Sequence, residues 1–521
     1  MPRHSLALLL LATALTGCST PRDAQTPGPV LVAPDGVAQS RLVVRDGHAG
    51  DASGAAATRP ATDWAQAPVQ VPAQLPPALA SLWQATKLPD DALSLVVLAP
   101  GQTPLVAIQA TTARNPASLM KLVTTYAALE GLGPSHRWRT EFGAAAGSGI
   151  DAAGRLTSPL YIRASGDPWI DSDDLRRVLR ELRQRGIRSL PGIVIDRTVF
   201  GDVAIDPAAF DNAPDRVYNA SPDAFLVDFG ATRLRYLPSP RGSWQVVLDP
   251  PQPAVQLDNR LQGRPGRCGG QGTVRLHVDG GTTTPVVRVE GAIPTQCGSF
   301  EHYRLILDSA NHAAQVLQGL WHEAGGELTG PIRAGAWPDK ADVLAVHESD
   351  TLSDIIRPIN KASNNVMARQ LLLALGQAYQ PGPATPEQGR HAVQQVLQEQ
   401  GLVFPELWID NGAGLSRDAR IAAGSMAQLL EAAWRSPRMP EFVSSLAIAG
   451  ADGTVRRRWR DDDTLGRAHL KTGTLRDVMG LAGYVQGASG QRYVLVSLIN
   501  HPQSYNARRF VDALVDWLAQ Q

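Results

Sequence analysis

The sequence predicts an α+β protein in which helices pack against one antiparallel sheet. Near the start of the folded part, the apolar runs 92–98 and 104–109 lie on either side of a short turn with Pro and Gly and predict a β-hairpin. At the end of the chain, the strand-like runs 479–485 and 492–500 are followed by an amphipathic segment at 506–519. We therefore expect the two ends of the chain to contribute to the same layered domain.

Helical periodicity dominates the region that precedes the C-terminal strands. The predicted helices cover residues 353–359, 364–375, 387–400 and 426–434. Together they predict a helical subdomain beside the sheet.

A stretch of about two hundred residues separates the hairpin from this helical region, which is too long for a simple connection. Short strand candidates, with Gly and Pro between them, fill this stretch at residues 156–162, 192–195, 244–248, 274–278 and 285–289, around an arginine-rich helix at 175–185. The length of 521 residues also exceeds what one hydrophobic core usually organises, so we expect two or three domains in the chain. Within this long stretch we predict two inserted, mostly β domains. The predicted boundaries are 76–144 and 346–521 for the interrupted domain, 145–225 and 303–345 for inserted domain II, and 226–302 for inserted domain III.

The first residues of the chain have the features of an export signal. A basic start is followed by the apolar run 6–15, which is too short to span a bilayer. The run leads into Leu-Thr-Gly-Cys ending at Cys18, which resembles the bacterial lipobox and implies that residues 1–17 are removed and Cys18 is lipidated. Ser19, by the same resemblance, favours a periplasmic protein anchored to the outer membrane, whereas cleavage without lipidation and plain secretion is the alternative. Residues 18–75 are rich in Pro, Ala, Gly, Asp and Thr and predict a flexible tether.

The composition is that of an ordinary soluble protein, and it argues against nucleic-acid binding and against metal-dependent catalysis. The formal net charge is zero and no basic run stands out, which argues against a nucleic-acid partner. The eleven histidines show no paired metal-ligand spacing, which argues against a metallopeptidase. We expect neither a metal nor an organic cofactor.

A reactive serine is predicted at the start of the helix that follows the hairpin. Pro116 suits a first helical position, and the apolar spacing after it predicts a helix that stops at Gly131. Ser118 then lies in the first turn, with Lys121 one turn later on the same face. A serine hydroxyl needs a base to become a nucleophile, and a partly buried lysine with a lowered pKa can be that base. The alternative is an N-capping serine beside an unrelated surface lysine.

Lysine is scarce in this chain, which gives weight to Lys121. Among 49 basic residues only five are lysines, namely Lys87, Lys121, Lys340, Lys361 and Lys471. Arginine supplies most of the positive charge but cannot be deprotonated in a protein, whereas lysine can. A retained lysine beside a serine therefore favours proton transfer over simple surface charge.

Two further motifs follow at a distance along the chain. Ser363-x-Asn365 precedes a predicted helix, so its side chains either cap that helix or point into a cleft. Lys471-Thr472-Gly473 follows a short apolar run and predicts a strand that ends at Lys471, with Gly473 where a substrate can pair against the edge. A strand end with a surface lysine is the alternative for this third motif.

In this order, the three motifs resemble those of the penicillin-recognising serine enzymes. The spacings of 245 residues from Ser118 to Ser363 and 108 from Ser363 to Lys471 resemble the D-alanyl-D-alanine carboxypeptidase/endopeptidase family that includes penicillin-binding protein 4. Flanking stretches at 165–168, 410–417 and 450–454 fit the same family, and the resemblance covers about residues 76–521. It implies a penicillin-binding, β-lactamase-like transpeptidase domain, with an antiparallel sheet flanked by helices, a helical subdomain and the two inserts.

The resemblance implies a role for each motif in cleaving the bond between two D-alanines of a peptidoglycan peptide. Ser118 is expected to be the nucleophile and Lys121 its base, with Ser363 relaying the proton to the leaving amine and Asn365 holding Lys121 and the substrate amide. The backbone N–H groups of Ser118 and Thr474 are expected to form the oxyanion hole. β-Lactams are the expected inhibitors.

The terminal carboxylate of the substrate is expected to bind at the third motif. The residues implied there are Lys471, Thr472, Gly473 and Thr474. The inserted region departs from the family pattern at 218–224, and Asp215 is the candidate substrate contact from that region.

A disulfide between Cys268 and Cys297 follows from export. Lipidation of Cys18 leaves these as the other two cysteines of the chain, in a compartment where thiols oxidise.

Two other functions remain open on the sequence. One is a β-lactamase or esterase on the same scaffold, which differs in how fast the acyl-enzyme hydrolyses. The other is a non-catalytic cell-wall-binding lipoprotein with an inert cleft, against which the intact Ser118, Lys121 and Lys471 count.

Overall fold

A computed structural model describes residues 74–240, 242–269, 273–279, 284–460 and 463–521 of the chain. The predicted signal peptide at 1–17, the lipidation site at Cys18 and nearly all of the predicted tether at 18–75 lie outside the described residues. Within the described ranges, no helix has both the length and the apolar character that a membrane crossing needs.

The helices and strands are numbered in chain order. The helices are α1 Pro77–Ala85, α2 Met120–Leu132, α3 Ser172–Gln184, α4 Ser309–Glu323, α5 Leu352–Lys361, α6 Asn365–Tyr379, α7 Pro386–Glu399, α8 Ala423–Arg435, α9 Met439–Ser444 and α10 Arg508–Ala519. The strands are β1 Leu93–Leu98, β2 Val106–Ile108, β3 Ala113–Arg114, β4 Arg139–Ala145, β5 Leu160–Arg163, β6 Ser189–Leu190, β7 Ile193–Asp196, β8 Thr232–Pro238, β9 Trp244–Leu248, β10 Gln256–Arg264, β11 Thr273–Asp279, β12 Val286–Pro294, β13 Phe300–Arg304, β14 Glu327–Leu328, β15 Ile332–Ala334, β16 Ala341–Glu348, β17 Ile421–Ala422, β18 Ala447–Ile448, β19 Ala468–Leu475, β20 Val478–Gln486 and β21 Arg492–Asn500.

The central sheet is antiparallel and has the order β18-β19-β20-β21-β1-β2. The predicted hairpin forms between β1 and β2, with Val96 opposite Ala107. Strand β21 pairs with β1, the first strand among the described residues, since Val96 lies opposite Val496. Strands from the beginning and the end of the described part of the chain therefore build one sheet, and the predicted α+β class is confirmed.

The two faces of this sheet are covered by different helices. Residues of β20 alternate between the faces, as the pleat of a strand requires. On one face α1 and α10 pack together, with the rings of Trp83 and Phe510 5.1 Å apart. On the other face Tyr484 is buried against α8, and its hydroxyl donates to the carbonyl of Leu430 at 2.7 Å. The sheet is thus the middle layer of three.

Helix α2 is the centre of the helical layer. Its residues from Met120 to Leu129 are all buried, and it packs against α5, α6 and α7. The helix passes the predicted stop at Gly131 and ends at Leu132, before Gly133 with φ 82°. Gly131 serves packing instead, because a Cβ there would lie 2.9 Å from the Tyr379 hydroxyl.

The described residues of the inserted region form three sheets of more than two strands. The largest has the order β15-β7-β5-β4-β16 and carries α3 and α4 against it. The sheet includes β4, which begins at Arg139, and β16, which ends at Glu348, so these two strands run past the predicted boundaries at 145 and 345. Two three-stranded sheets, β13-β8-β9 and β10-β12-β11, lie within residues 232–304 and share their own core. The disulfide joins Cys268 to Cys297 in this part.

Candidate active site

Ser118 lies in a 3-10 turn, Ala117–Leu119, that leads directly into α2. The prediction of a first α-helical turn was wrong in this detail, because Ala117 has a left-handed φ of 46° that no α-helix accommodates. Asn115 stabilises the turn by accepting a hydrogen bond from the Ala117 N–H at 2.8 Å. The serine side chain remains partly exposed while both of its neighbours are buried.

Lys121 is completely buried and lies in contact with the Ser118 hydroxyl. Its Nζ is 3.0 Å from Ser118 Oγ, 2.6 Å from Asn365 Oδ1 and 2.6 Å from the Ala413 carbonyl. Burial lowers the pKa of Lys121 well below its usual value, and the nearby charges of Lys471 and Arg369 lower it further. The neutral amine that a general base requires is therefore favoured here.

Ser363 and Lys471 form a second pair beside the first. Lys471 Nζ donates to Ser363 Oγ at 2.9 Å and to the Thr472 carbonyl at 2.8 Å. Ser363 has φ 58°, and its successor Asn364 caps α6 by accepting from the Met367 N–H, so Ser363 itself is not the capping residue. Burial lowers the pKa of Lys471 to about 7.

The third motif lies inside a strand and not at its end, contrary to the prediction. β19 continues through Lys471 to Leu475, and its partner β18 pairs only with His469 and Leu470. In the described part of the chain, no other strand pairs with β19 on that edge. Gly473 allows the close approach of the reactive turn, because a Cβ there would lie 2.6 Å from the Pro116 carbonyl oxygen.

A cavity of about 320 Å³ opens between these motifs. Its lining residues are Ser118, Ser363, Thr454, Arg458, Thr472, Thr474 and Arg508. The two lysines lie behind this wall, where neither is exposed. Thr472 donates to the Thr454 hydroxyl at 2.9 Å, which joins the third motif to the predicted flanking stretch at 450–454. The wall thus presents hydroxyls and two guanidinium groups.

Arg369 connects the site to the inserted region and was not identified from the sequence. It lies one turn after Asn365 on α6, is buried, and donates to the carbonyls of Tyr218 and Ala220 at 2.9 and 3.0 Å. Burial lowers its pKa to about 10. Its charge is one of those that lower the pKa of Lys121.

Asp215 lies apart from this cluster. Its carboxylate pairs with Arg304 at 3.1 Å, and its carbonyl accepts from the Leu305 N–H at 2.9 Å. It is not among the residues that line the cavity. Its role as a substrate contact stays a prediction.

Three other contributors were missed because their residue type gives no signal. The carbonyl of Ala413 binds Lys121 through the backbone, although its stretch 410–417 had been singled out. Arg458 and Arg508 belong to a chain with many arginines, and only the fold brings them to the cavity. No group of three or more His, Cys, Asp or Glu side chains suited to a metal occurs in the described part of the chain.

Comparison with known proteins gives a consistent assignment. Residues 75–521 match the D-Ala-D-Ala carboxypeptidase 3 (S13) family. A D-alanyl-D-alanine carboxypeptidase of Actinomadura sp. (strain R39) is 30% identical over 423 residues, which are 78% of this chain and 77% of that protein. The D-alanyl-D-alanine carboxypeptidase DacB of Haemophilus influenzae is 27% identical over 398 residues, covering 74% of this chain and 80% of that protein.

A comparison with solved structures identifies a protein of the same fold. The crystal structure of penicillin binding protein 4 (dacB) from Haemophilus influenzae superposes with a TM-score of 0.68 at 24% identity, covering 85% of this chain and 99% of the other. The predicted family and the predicted penicillin-binding fold are confirmed. On its sequence, its fold and the match across 75–521, the chain belongs to the D-Ala-D-Ala carboxypeptidase 3 (S13) family.

Proposed function

We propose that this protein is a serine-type D-Ala-D-Ala carboxypeptidase/endopeptidase that acts on peptidoglycan stem peptides through an acyl-enzyme at Ser118. The observation that carries the proposal is the 3.0 Å contact between Ser118 Oγ and the buried Lys121 amine, at the wall of an open cavity. Family membership and the names of the relatives support the same reaction.

Acylation begins when Lys121 accepts the hydroxyl proton of Ser118 and the Oγ attacks the carbonyl carbon of the penultimate D-alanine. Asn365 and the Ala413 carbonyl hold the amine in place, because both lie 2.6 Å from Nζ. The C–N bond then breaks, and the leaving amine takes a proton from Ser363, which Lys471 replenishes through its 2.9 Å contact.

Deacylation returns the enzyme to its first state. Water attacks the ester carbon and gives a proton through Ser363 to the now neutral Lys471, and Lys121 returns the proton it took in acylation to the Ser118 oxygen as the ester bond breaks. The products are a peptide that ends in D-alanine and the released amine. The same steps apply whether that amine is free D-alanine or a residue of a neighbouring stem peptide.

A penicillin tests the nucleophile directly, since its lactam carbonyl acylates the serine. Intact-protein mass spectrometry of the purified protein with benzylpenicillin should show one adduct, mapped to Ser118 after digestion. Ser118→Ala should show none, while the exposed Ser489→Ala should label like the parent. An adduct at another residue, or labelling of Ser118→Ala, would contradict the assignment.

Release of D-alanine separates the proposal from its alternatives. The parent incubated with a muropeptide pentapeptide should release D-alanine, and Ser118→Ala should not. A non-catalytic binding protein would release none. A β-lactamase would instead hydrolyse penicillin with rapid turnover and leave little adduct.

We further propose that the mature protein is held at a membrane through a lipid on Cys18, probed separately from the reaction. The lipobox-like Leu-Thr-Gly-Cys and the tether-like composition of 18–75 support it. Natively exported protein should fractionate with outer membranes and carry a modified N-terminal cysteine, and Cys18→Ala should lose both. A soluble parent with an unmodified N-terminus would refute the anchor.

A further inference from the structure

The cavity wall has an uneven distribution of charge. Five of its seven lining residues carry neutral hydroxyls, and the two charged ones are Arg458 and Arg508. In the part of the chain that the structure describes, no aspartate or glutamate lines the cavity. A bound anion therefore meets only partners that donate hydrogen bonds or attract it.

Lys471, the expected partner of the substrate carboxylate, does not face this cavity. Its exposure is 0%, and its Nζ is bound to Ser363 Oγ and to the Thr472 carbonyl. A carboxylate in the cavity would be separated from it by the wall. Lys471 instead contacts Ser363, the residue proposed to protonate the leaving amine, and would not contact a ligand in the cavity.

The guanidinium group of Arg458 is held by Asp512 and Trp459. Its side chain is 9% exposed, its Nε donates to Asp512 at 2.7 Å, and it stacks over the Trp459 ring at 4.1 Å. These contacts leave its guanidinium little freedom to turn towards a ligand.

Arg508 is the cation that remains available. Its side chain is 43% exposed, and only its Nε pairs with Asp512, at 3.3 Å. Among the described residues, neither of its two terminal nitrogens makes a hydrogen bond. These two nitrogens form the flat donor pair that matches the two oxygens of a carboxylate.

We infer that Arg508 supplies the positive charge that recognises the carboxylate of the leaving residue, together with the hydroxyls of Thr472 and Thr474. The inference rests on the proposed function and assigns a specificity-determining residue to it. Its structural basis is that Arg508 and both threonines line the same cavity as Ser118, while Lys471 does not. A substrate whose terminal carboxylate is replaced by an uncharged carboxamide should lose this interaction.

The test compares two substrates that differ only in this group, diacetyl-lysyl-D-alanyl-D-alanine and its C-terminal carboxamide. For each, kcat/KM follows from the release of D-alanine or D-alaninamide. The parent should prefer the acid, and Arg508→Ala should reduce the acid-to-amide ratio about tenfold, as expected for one partly exposed hydrogen-bonded charge pair. Arg508→Lys should keep part of the preference, because the charge remains but the paired donors are lost.

The neighbouring Arg509 is a matched control, since it is exposed and does not line the cavity. Arg509→Ala should leave the ratio unchanged. Thermal melting of Arg508→Ala establishes that it folds, and Arg508→Gln repeats the comparison with an uncharged side chain that is longer than that of alanine. An unchanged acid-to-amide ratio in the folded variants, or an equal loss of kcat/KM with both substrates, would overturn the role of Arg508 but leave the proposed function intact. A parent that cleaves neither substrate would refute the proposed function and this inference together.

Discussion

Replacing the buried Lys471 by methionine should stabilise the protein at neutral pH while it removes a group of the active site. Burial lowers the pKa of this amine from 10.5 to about 7 in the folded state. Between these two values the unfolded chain binds a proton that the folded chain does not, so stability rises with pH through this window. Below the folded value, both states are protonated and the full cost of burying the charge is present.

The magnitude follows from the size of the shift. A lowering from 10.5 to about 7 corresponds to a cost of about 5 kcal/mol at acidic pH, at about 1.36 kcal/mol for each pKa unit. The methionine variant loses two hydrogen bonds, each worth about 1 kcal/mol, so its net gain at pH 6 is about 2 to 3 kcal/mol. From pH 6 to pH 9 the parent recovers about 2 to 3 kcal/mol from this group, so the advantage of the variant should largely vanish. The replacement also removes the positive charge of Lys471 that lowers the pKa of Lys121, and this change likewise stabilises the variant.

Urea unfolding of both proteins at pH 6 and pH 9 measures this difference. Groups whose pKa does not depend on Lys471 cancel in the comparison, whereas Lys121 does not and adds to the expected difference. Lys340→Met is the matched control, because Lys340 is exposed and its replacement should leave the pH dependence unchanged. Parallel stability curves for parent and Lys471→Met would refute the claim that the buried amine carries a charging cost.

Three further predictions concern the base, its tuning and the insert. Lys121→Arg should slow acylation by benzylpenicillin by about 100- to 10,000-fold, since arginine cannot accept the serine proton; stopped-flow rates near those of the parent would exclude Lys121 as the base. Arg369→Met should move the acidic limb of the acylation pH profile to higher pH, because removing a positive charge raises the pKa of Lys121; an unmoved limb would mean that this charge is screened. Replacing Cys268 and Cys297 together by serine should lower the stability of the insert by about 3 to 4 kcal/mol without affecting penicillin labelling, as judged by melting under non-reducing conditions.

The chemistry of the site was largely predictable because it depends on residue types at short spacing. Ser118 and Lys121 stand one turn apart, and a nucleophile with an adjacent base is recognisable at that distance. The lysine contacts with Asn365 and Ser363 needed the family resemblance, since these residues are more than 100 positions away from their partners.

The parts that escaped prediction have no local signal. The Ala413 carbonyl acts through the backbone, which every residue possesses. Arg369 and Arg508 look like any other arginine until the fold has buried one and brought the other to the cavity. Gly131 was misread as a helix stop for a similar reason, because its contact with Tyr379 comes from a distant helix.

The pairing of β1 with β21 also limits the order in which the site can be assembled during synthesis. Val96 and Val496 are neighbours in the sheet although four hundred positions separate them along the chain. Ser118 is synthesised early, but β19 and β20, which hold the reactive turn, and β21, which joins them to β1, are made much later. A growing chain therefore carries the serine for most of its synthesis without the sheet that positions it. The site around Ser118 can therefore form only after the strands β19, β20 and β21 have been made.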